Sequence, residues 1–179
     1  MSSGSRTAGV DPFVPPSRPS RERTRAPAAG CSSGRAGGRG ALSGAVDAIV
    51  AHHGRGTIDK VVGIEARGFI VAAPVAYHFG AGFVALRKPG KLPRATYAAD
   101  YALEYGEATL EVHKDALSAG DRVLIVDDVL ATGGTAAAAA GLVQQADAVV
   151  AGVSVLLELS FLGGRDRLTG LDVHALIDY

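Results

Sequence analysis

The chain has 179 residues, of which 47% are hydrophobic, and its 18 basic and 18 acidic side chains give a formal net charge of zero. This length and composition predict a globular protein with one sizeable core, and the charge balance gives no argument for a nucleic-acid or membrane partner. The single cysteine, Cys31, excludes an internal disulfide, so we expect a cytoplasmic protein.

Residues 1–42 differ in composition from the rest of the chain. They are rich in Arg, Gly, Pro, Ser and Ala, and their only acids are Asp11 and Glu22. Clustered prolines and sparse apolar residues predict a disordered segment. Three origins stay open: a basic disordered tail, an organellar transit peptide, or a stretch translated out of frame. We therefore separate an atypical segment, 1–42, from a domain at 43–179.

From residue 43 onward, helix-like and strand-like segments alternate, which is typical of an α/β fold with a mostly parallel sheet. In chain order the pattern predicts helix 43–53, strand 60–64, helix 68–79, strand 83–86, an antiparallel strand pair 101–105 and 108–112, strand 122–126, helix 135–145, and strands 149–157 and 173–177. Ser43 is the predicted cap of the first helix and Gly54 its end. Residues 87–99 form a long polar stretch, predicted to be a functional loop.

The segment VLIVDDVLATGGT, residues 123–135, carries the clearest chemical signal. An apolar strand is predicted to end at two adjacent carboxylates, Asp127 and Asp128, and a loop of small residues then opens into a helix. The loop consists of Ala131, Thr132, Gly133, Gly134 and Thr135. Its backbone N–H groups and the positive end of the helix predict an anion site. The carboxylates can accept hydrogen bonds from ribose hydroxyls; a purely structural turn is the alternative.

The same segment resembles the phosphoribosyl diphosphate motif of type I phosphoribosyltransferases. Four further segments resemble adenine phosphoribosyltransferases in order and spacing: VVGIEARGFI (61–70), FVALRKPGKLP (83–93), YALEYGEATLEVHKDAL (101–117) and LLELSFLGGR (156–165). The resemblance implies a doubly wound, mostly parallel sheet flanked by helices, with a flexible loop over the site, in a homodimer. It also implies purine salvage: transfer of phosphoribose from phosphoribosyl diphosphate to adenine, which gives AMP and pyrophosphate. Mg²⁺ is the implied cofactor.

The resemblance also implies residue roles. Arg67 would lie in the pyrophosphate-binding turn, where the family has a cis peptide that here would join Glu65 to Ala66. Lys88 and Lys91 would lie in the flexible loop and hold pyrophosphate after it closes.

The catalytic residues implied by the resemblance are three carboxylates. Glu104 would be the general acid or base for the purine ring, and Asp127 and Asp128 would hold the ribose and stabilise a cationic transition state. No residue is assigned as a direct Mg²⁺ ligand, because pyrophosphate and the ribose hydroxyls are expected to hold the ion.

Two features lie outside the resemblance. Residues 1–42 lack the segment of the type FPxPGxxFxDITPLL that in the family forms part of the hood over the base. The missing hood segment favours one alternative: a protein with weak or no transferase activity that binds phosphoribosyl diphosphate or a nucleotide. The five histidines are His52, His53, His78, His113 and His174. Beyond the helix-end pair, His52 and His53, they have no metal-ligand spacing, so we expect capping or surface positions for them.

Overall fold

The structure is a computed structural model that describes residues 40–102 and 107–179. The predictions for Glu104 and for the segment before residue 40 lie outside these ranges. The elements, in chain order, are α1 (Ala41–His53), β1 (Lys60–Ile64), α2 (Gly68–Phe79), β2 (Gly82–Leu86), β3 (Thr96–Ala102), β4 (Glu107–His113), β5 (Arg122–Leu130), α3 (Gly134–Gln145), β6 (Val149–Glu158) and β7 (Val173–Asp178). Two short 3₁₀ helices, Ser160–Leu162 and Gly164–Leu168, lie between β6 and β7.

Five strands form one parallel sheet in the order β2-β1-β5-β6-β7, and β3 and β4 form a separate antiparallel hairpin. The central strands are nearly continuous apolar runs, as expected when both faces of a parallel sheet are covered. Val61 and Val62 on β1, for example, are both fully buried although they point to opposite faces. Helices α1 and α2 pack on one face, and α3 with the hairpin packs on the other. The predicted doubly wound α/β fold is confirmed.

The strand order reverses between β1 and β5, since β2 lies beyond β1 on one side and β6 lies beyond β5 on the other. In open parallel sheets, ligands bind at the carboxyl ends of the strands at such a switch point. The EARG motif, residues 65–68, directly follows β1. The VLIVDDVLATGGT motif begins within β5 and continues beyond its carboxyl end. The topology therefore brings the two motifs to one edge of the sheet.

Several predicted boundaries were wrong. α1 begins at Ala41, with Gly40 before it, and the Ser43 hydroxyl donates a 3.0 Å hydrogen bond to the Gly40 carbonyl instead of capping the helix. β5 runs on to Leu130 because its ladder with β6 continues past the two aspartates. β3 begins inside the predicted loop 87–99 because Tyr97 pairs with Val112 and packs against the core.

The first strand of the antiparallel pair lies closer to the N-terminus than predicted, whereas the second, Glu107–His113, extends one residue beyond each predicted end. Ala102 pairs with Glu107, so the first strand ends three residues earlier than predicted. Among the described helices, none combines the length and hydropathy needed to cross a membrane.

Candidate active site

The turn after β1 and the end of β5 bring together charged residues from the EARG and VLIVDDVLATGGT motifs. The Glu65–Ala66 bond is a cis peptide, as the resemblance implied. The Arg67 guanidinium donates through Nε to the carboxylate of Asp128, which lies 61 residues away in sequence. Arg67 is otherwise exposed. The arginine predicted to bind pyrophosphate therefore forms an ion pair with one of the two carboxylates predicted to bind ribose.

Asp127 has a different environment from Asp128. Burial, with a smaller contribution from the neighbouring Asp128 carboxylate, raises the pKa of Asp127 to about 7. Its Oδ1 accepts a 2.9 Å hydrogen bond from the Asp128 backbone N–H. The first residue of α2 comes so close that a Cβ on Gly68 would lie 2.8 Å from the same oxygen. Glycine at position 68 is therefore needed to seat α2 against the carboxylate.

The predicted phosphate loop closes against the turn between the two 3₁₀ helices. Gly133 has a φ of +79°, and a Cβ there would lie 2.2 Å from the Gly164 carbonyl oxygen. Reciprocally, a Cβ on Gly164 would lie 2.3 Å from the Ala131 carbonyl oxygen. The two backbones touch directly, so the FLGGR segment determines the position of the loop before α3.

Two adjoining cavities of about 440 and 480 Å³ are lined by almost all of the candidate site residues that the structure describes. The first lies on the α3 face and is lined by Asp127, Ala131, Thr132, Gly133, Gly134 and Thr135. The second is lined by Glu65, Arg67, Lys88, Asp127 and Asp128. Asp127, Ala131 and Thr135 line both. One cavity can thus hold an anion beside the loop while its neighbour holds a second charged group beside Arg67 and Lys88.

Lys91 is not among the residues that line these cavities. Its ammonium group binds the Glu65 carboxylate, which also accepts a 2.9 Å hydrogen bond from the Lys88 backbone N–H. The hydrogen bond from Lys91 is the main reason why the pKa of Glu65 falls to about 2. Glu65 therefore holds the start of the predicted loop 87–99 close to the turn after β1.

Behind the phosphate loop lies an ion pair between a buried carboxylate and a half-exposed arginine, which the sequence had not led us to expect. Glu158, at the end of β6, is 4% exposed, and its carboxylate accepts three hydrogen bonds of 2.7–2.9 Å from the Arg165 guanidinium. Arg165 also donates to the Val173 carbonyl at 2.8 Å. Arg165 directly follows Gly164, so this pair positions the turn against which Gly133 packs. The only signal in the sequence was the FLGGR motif itself.

The surface or capping positions expected for the histidines were wrong in part. His53 has a side chain that is only 4% exposed, and His174 comes from β7 to stack on His52 with ring centroids 4.0 Å apart. The spacing in sequence gave no sign of this, because His174 is far from the helix-end pair.

Comparison with known proteins agrees with this geometry. The family model of the phosphoribosyl transferase domain matches residues 41–167. Adenine phosphoribosyltransferase from Salinispora tropica is 67% identical over 132 residues, which are 74% of this chain and 70% of the relative. The chain belongs to the adenine phosphoribosyltransferase family. The family's enzyme from Acidothermus cellulolyticus is also 67% identical, over 74% of this chain and 75% of its own length.

Solved structures of family members have the same fold. Adenine phosphoribosyltransferase from Rhodothermus marinus matches with a TM-score of 0.77 and 49% identity, covering 80% of this chain and 82% of its own. The enzyme from Saccharomyces cerevisiae, in complex with an imino-altritol bisphosphate and adenine, matches with a TM-score of 0.73 and 40% identity, covering 78% and 81%. The family predicted from the sequence motifs is confirmed.

Proposed function

We propose that this chain transfers the phosphoribosyl group of phosphoribosyl diphosphate to adenine, forming AMP and pyrophosphate in purine salvage. The observation that carries the proposal is the meeting of the aspartate pair, the glycine loop, Arg67 and the start of α3 at the switch point of the sheet. Close relatives named for this activity support it over the alternative of a binding protein without turnover.

The 5-phosphate of phosphoribosyl diphosphate is proposed to bind in the first cavity, the one lined by the phosphate loop 131–135. Thr132 and Thr135 supply hydroxyl donors there, and the backbone before α3 supplies N–H groups near the positive end of the helix. Gly133 allows the chain to turn with a positive φ so that these donors converge. The Gly164 carbonyl supports the loop from behind.

The reaction breaks the bond from C1 of the ribose to the pyrophosphate oxygen and forms a bond from C1 to a ring nitrogen of adenine, which loses a proton. Positive charge develops at C1, and the carboxylates of Asp127 and Asp128 are proposed to stabilise it while accepting hydrogen bonds from the ribose hydroxyls. Glu104 is proposed to take the adenine proton. Its position lies in the segment 103–106, outside the described residues.

Pyrophosphate is proposed to lie in the second cavity. Arg67 would exchange Asp128 for the pyrophosphate oxygens, which releases Asp128 to the ribose. Lys88 lines the same cavity, and Lys91 would leave Glu65 when the loop closes over the substrate. Arg67, Lys88 and Lys91 then neutralise negative charge that grows on the leaving pyrophosphate as the bond breaks.

Mg²⁺ is the proposed cofactor, and the donor set at this site is compatible with it. Mg²⁺ prefers oxygen ligands and is usually held by one or two carboxylates together with substrate phosphates. The aspartate pair is not part of any cluster of three or more ligating side chains within the described residues. The ion would therefore be held chiefly by pyrophosphate and the ribose hydroxyls, with Asp127 and Asp128 fixing those hydroxyls. When bound, it neutralises charge on the leaving group.

The test is AMP formation by the purified full chain from adenine, phosphoribosyl diphosphate and Mg²⁺, with hypoxanthine as the control base. We expect turnover with adenine and none with hypoxanthine. Glu104→Gln should lower kcat by about 10²-fold or more, since a general base contributes about that much. Calorimetric binding of phosphoribosyl diphosphate is measured in parallel. Binding without turnover would contradict the proposal and favour the binding-protein alternative.

The proposed homodimer is supported by large exposed apolar side chains on α2 and β2, which we call the apolar patch. Ile70 and Tyr77 lie seven residues apart on α2 and are 63% and 84% exposed, and Phe83 on β2 is 43% exposed. Residues at this helical spacing share a face. Exposed apolar patches of this kind mark association surfaces, and a second copy of the chain is the proposed occupant.

Placing a charge on this patch should separate the subunits. We expect Tyr77→Arg to halve the mass measured by light scattering after gel filtration, because the guanidinium would be desolvated without a partner. Gln144→Arg, at an exposed position on α3, should leave the mass of the wild-type dimer unchanged. A wild-type chain of monomer mass, or a Tyr77→Arg variant that stays dimeric, would contradict the proposal.

The proposed catalytic domain spans residues 43–179, and the proposed location is the cytoplasm. The family match over residues 41–167 supports the first proposal. The presence of a single cysteine supports the second, because a protein of an oxidising compartment commonly uses disulfides.

A further inference from the structure

Three histidines converge where the end of α1 meets β6 and β7. His52 and His53 are the last two residues of α1, and His174 is the second residue of β7. We call these three residues the histidine cluster. Each ring offers one nitrogen such that the three nitrogens all lie within 4.8 Å of one another. The cluster lies on the α1 face of the sheet, whereas the predicted phosphate cavity lies on the α3 face.

One ring of the cluster is oriented by a hydroxyl, and another faces a carboxylate. His53 Nε2 lies 2.8 Å from the Ser154 hydroxyl oxygen, and His52 Nε2 lies 3.0 Å from Asp172 Oδ2. Because Ser154 holds the His53 ring through Nε2, Nδ1 of His53 is left for a metal, as is usual at histidine metal sites. Within the described part of the chain, the buried Nδ1 of His174 has no hydrogen-bond partner. A buried polar atom without a partner requires an explanation, and an ion bound between the three rings would supply one.

The backbone leaves space for this arrangement. Gly152 on β6 lies beneath His53, and a Cβ there would come within 2.7 Å of the ring atom Cε1. A larger residue at 152 would push the ring away from His174 and Asp172. The close approach of α1 to the sheet, and with it the cluster, therefore depends on a glycine that no catalytic role requires.

We propose that the histidine cluster binds one Zn²⁺-class transition-metal ion through its three imidazoles, with Asp172 or water as the fourth ligand. Neutral imidazole suits Zn²⁺ and its neighbours in the first transition series. In a tetrahedral site with metal–nitrogen bonds of about 2.0–2.1 Å, ligand atoms lie about 3.4 Å apart. The rings of His52 and His174 are parallel, with an interplanar angle of 3°, and a metal lies in the plane of each imidazole that binds it. His52 must therefore rotate out of the stack on binding, and its side chain, which is 36% exposed, has room to do so. Asp172 Oδ2 already lies 3.0 Å from His52 and 3.8 Å from His53 Nδ1.

The ion would tie the end of α1 to the β6–β7 edge of the sheet. α1 contacts α2 and also this edge, so a metal bridge would add a covalent-like link between the first helix and the last strand. Because the cluster lies on the face opposite the predicted phosphate cavity, the expected role is structural. Metal binding should raise the unfolding temperature and leave the turnover number unchanged.

The test uses the untagged full chain, freed of metal with a chelator, in a Cys31→Ser background that removes the one thiol. Zn²⁺ is titrated by calorimetry, and Co²⁺ replaces it for absorption spectroscopy. We expect one ion per chain and the intense visible bands of tetrahedral Co²⁺. His174→Gln and His52→Gln should each weaken binding by at least tenfold, whereas His78→Gln, an exposed histidine on α2, should not.

Three outcomes would overturn the proposal: no stoichiometric binding of Zn²⁺, a Co²⁺ spectrum of octahedral type, or binding unchanged in both cluster variants. His52 is partly exposed, so its variant should fold even where that of His174 does not. Far-ultraviolet circular dichroism of each metal-free variant checks folding, and the rise in unfolding temperature with Zn²⁺ should be absent from both cluster variants.

Discussion

Replacing Asp127 with asparagine is expected to lower turnover by about 10²- to 10³-fold and, at pH 8, to make the folded chain more stable. The loss of turnover follows from removing a charge that faces the developing cation, an electrostatic contribution that is commonly of this size. The gain in stability has a separate cause. Asp127 is buried and shares its site with Asp128, which raises its pKa to about 7, so ionising it at pH 8 disfavours the folded state.

The gain should depend on pH in a defined direction. A carboxyl group whose pKa is higher in the folded state than its ordinary value of 3.8 binds more protons when folded. The protonated Asp127 carboxyl therefore contributes fully to the stability of the folded state below pH 3.8. That contribution is lost as the pH rises through about 7, where the folded chain gives up the proton. The stability difference between Asp127→Asn and the wild type should therefore grow from pH 4 to pH 7 and then level off.

Thermal unfolding at pH 5 and pH 8, together with steady-state kinetics, checks this prediction. We expect a difference on the order of 1 kcal/mol at pH 8, or about 3 °C in the unfolding temperature of a domain of this size. Asp128→Asn is the matched control for stability: it removes the repulsion on Asp127 but also the ion pair with Arg67, so we expect no net gain at pH 8. A variant at 127 that is less stable at pH 8, or that keeps its turnover, would contradict the account.

The second large effect is expected for Gly133→Ala, which should abolish detectable binding of phosphoribosyl diphosphate. An alanine at a φ of +79° costs about 1–2 kcal/mol in backbone strain. Its Cβ would also lie 2.2 Å from the Gly164 carbonyl oxygen, so the loop or the FLGGR turn has to move. Either movement separates the backbone donors that are proposed to bind the 5-phosphate.

Gly141→Ala provides the control within the same helix. Gly141 lies on α3 with open space around its Cα, so alanine should stabilise the chain by about 0.5–1 kcal/mol and leave substrate affinity unchanged. Calorimetry with phosphoribosyl diphosphate and thermal unfolding measure both variants. Gly133→Ala with wild-type affinity would show that the contact with Gly164 does not position the loop.

Much of the fold could be predicted because its elements are encoded locally. The apolar runs and the glycine stops marked the five strands of the parallel sheet and all three helices in order, and the motifs identified the family. The boundaries failed where long-range pairing overrode local polarity. β5 passes through Asp127 and Asp128 because its backbone continues to pair with β6, and hydrogen-bond ladders do not depend on side-chain polarity.

The sequence by itself determined the alternation of elements, the family and the candidate residues, because each depends on neighbours close along the chain. Only the tertiary structure decided which of those residues meet. Arg67 and Asp128 are 61 residues apart, and His52 and Asp172 are 120 apart. The burial that raises the pKa of Asp127, the contact between Gly133 and Gly164, and the convergence of the histidine cluster all arise when separate segments pack, and no local pattern records them.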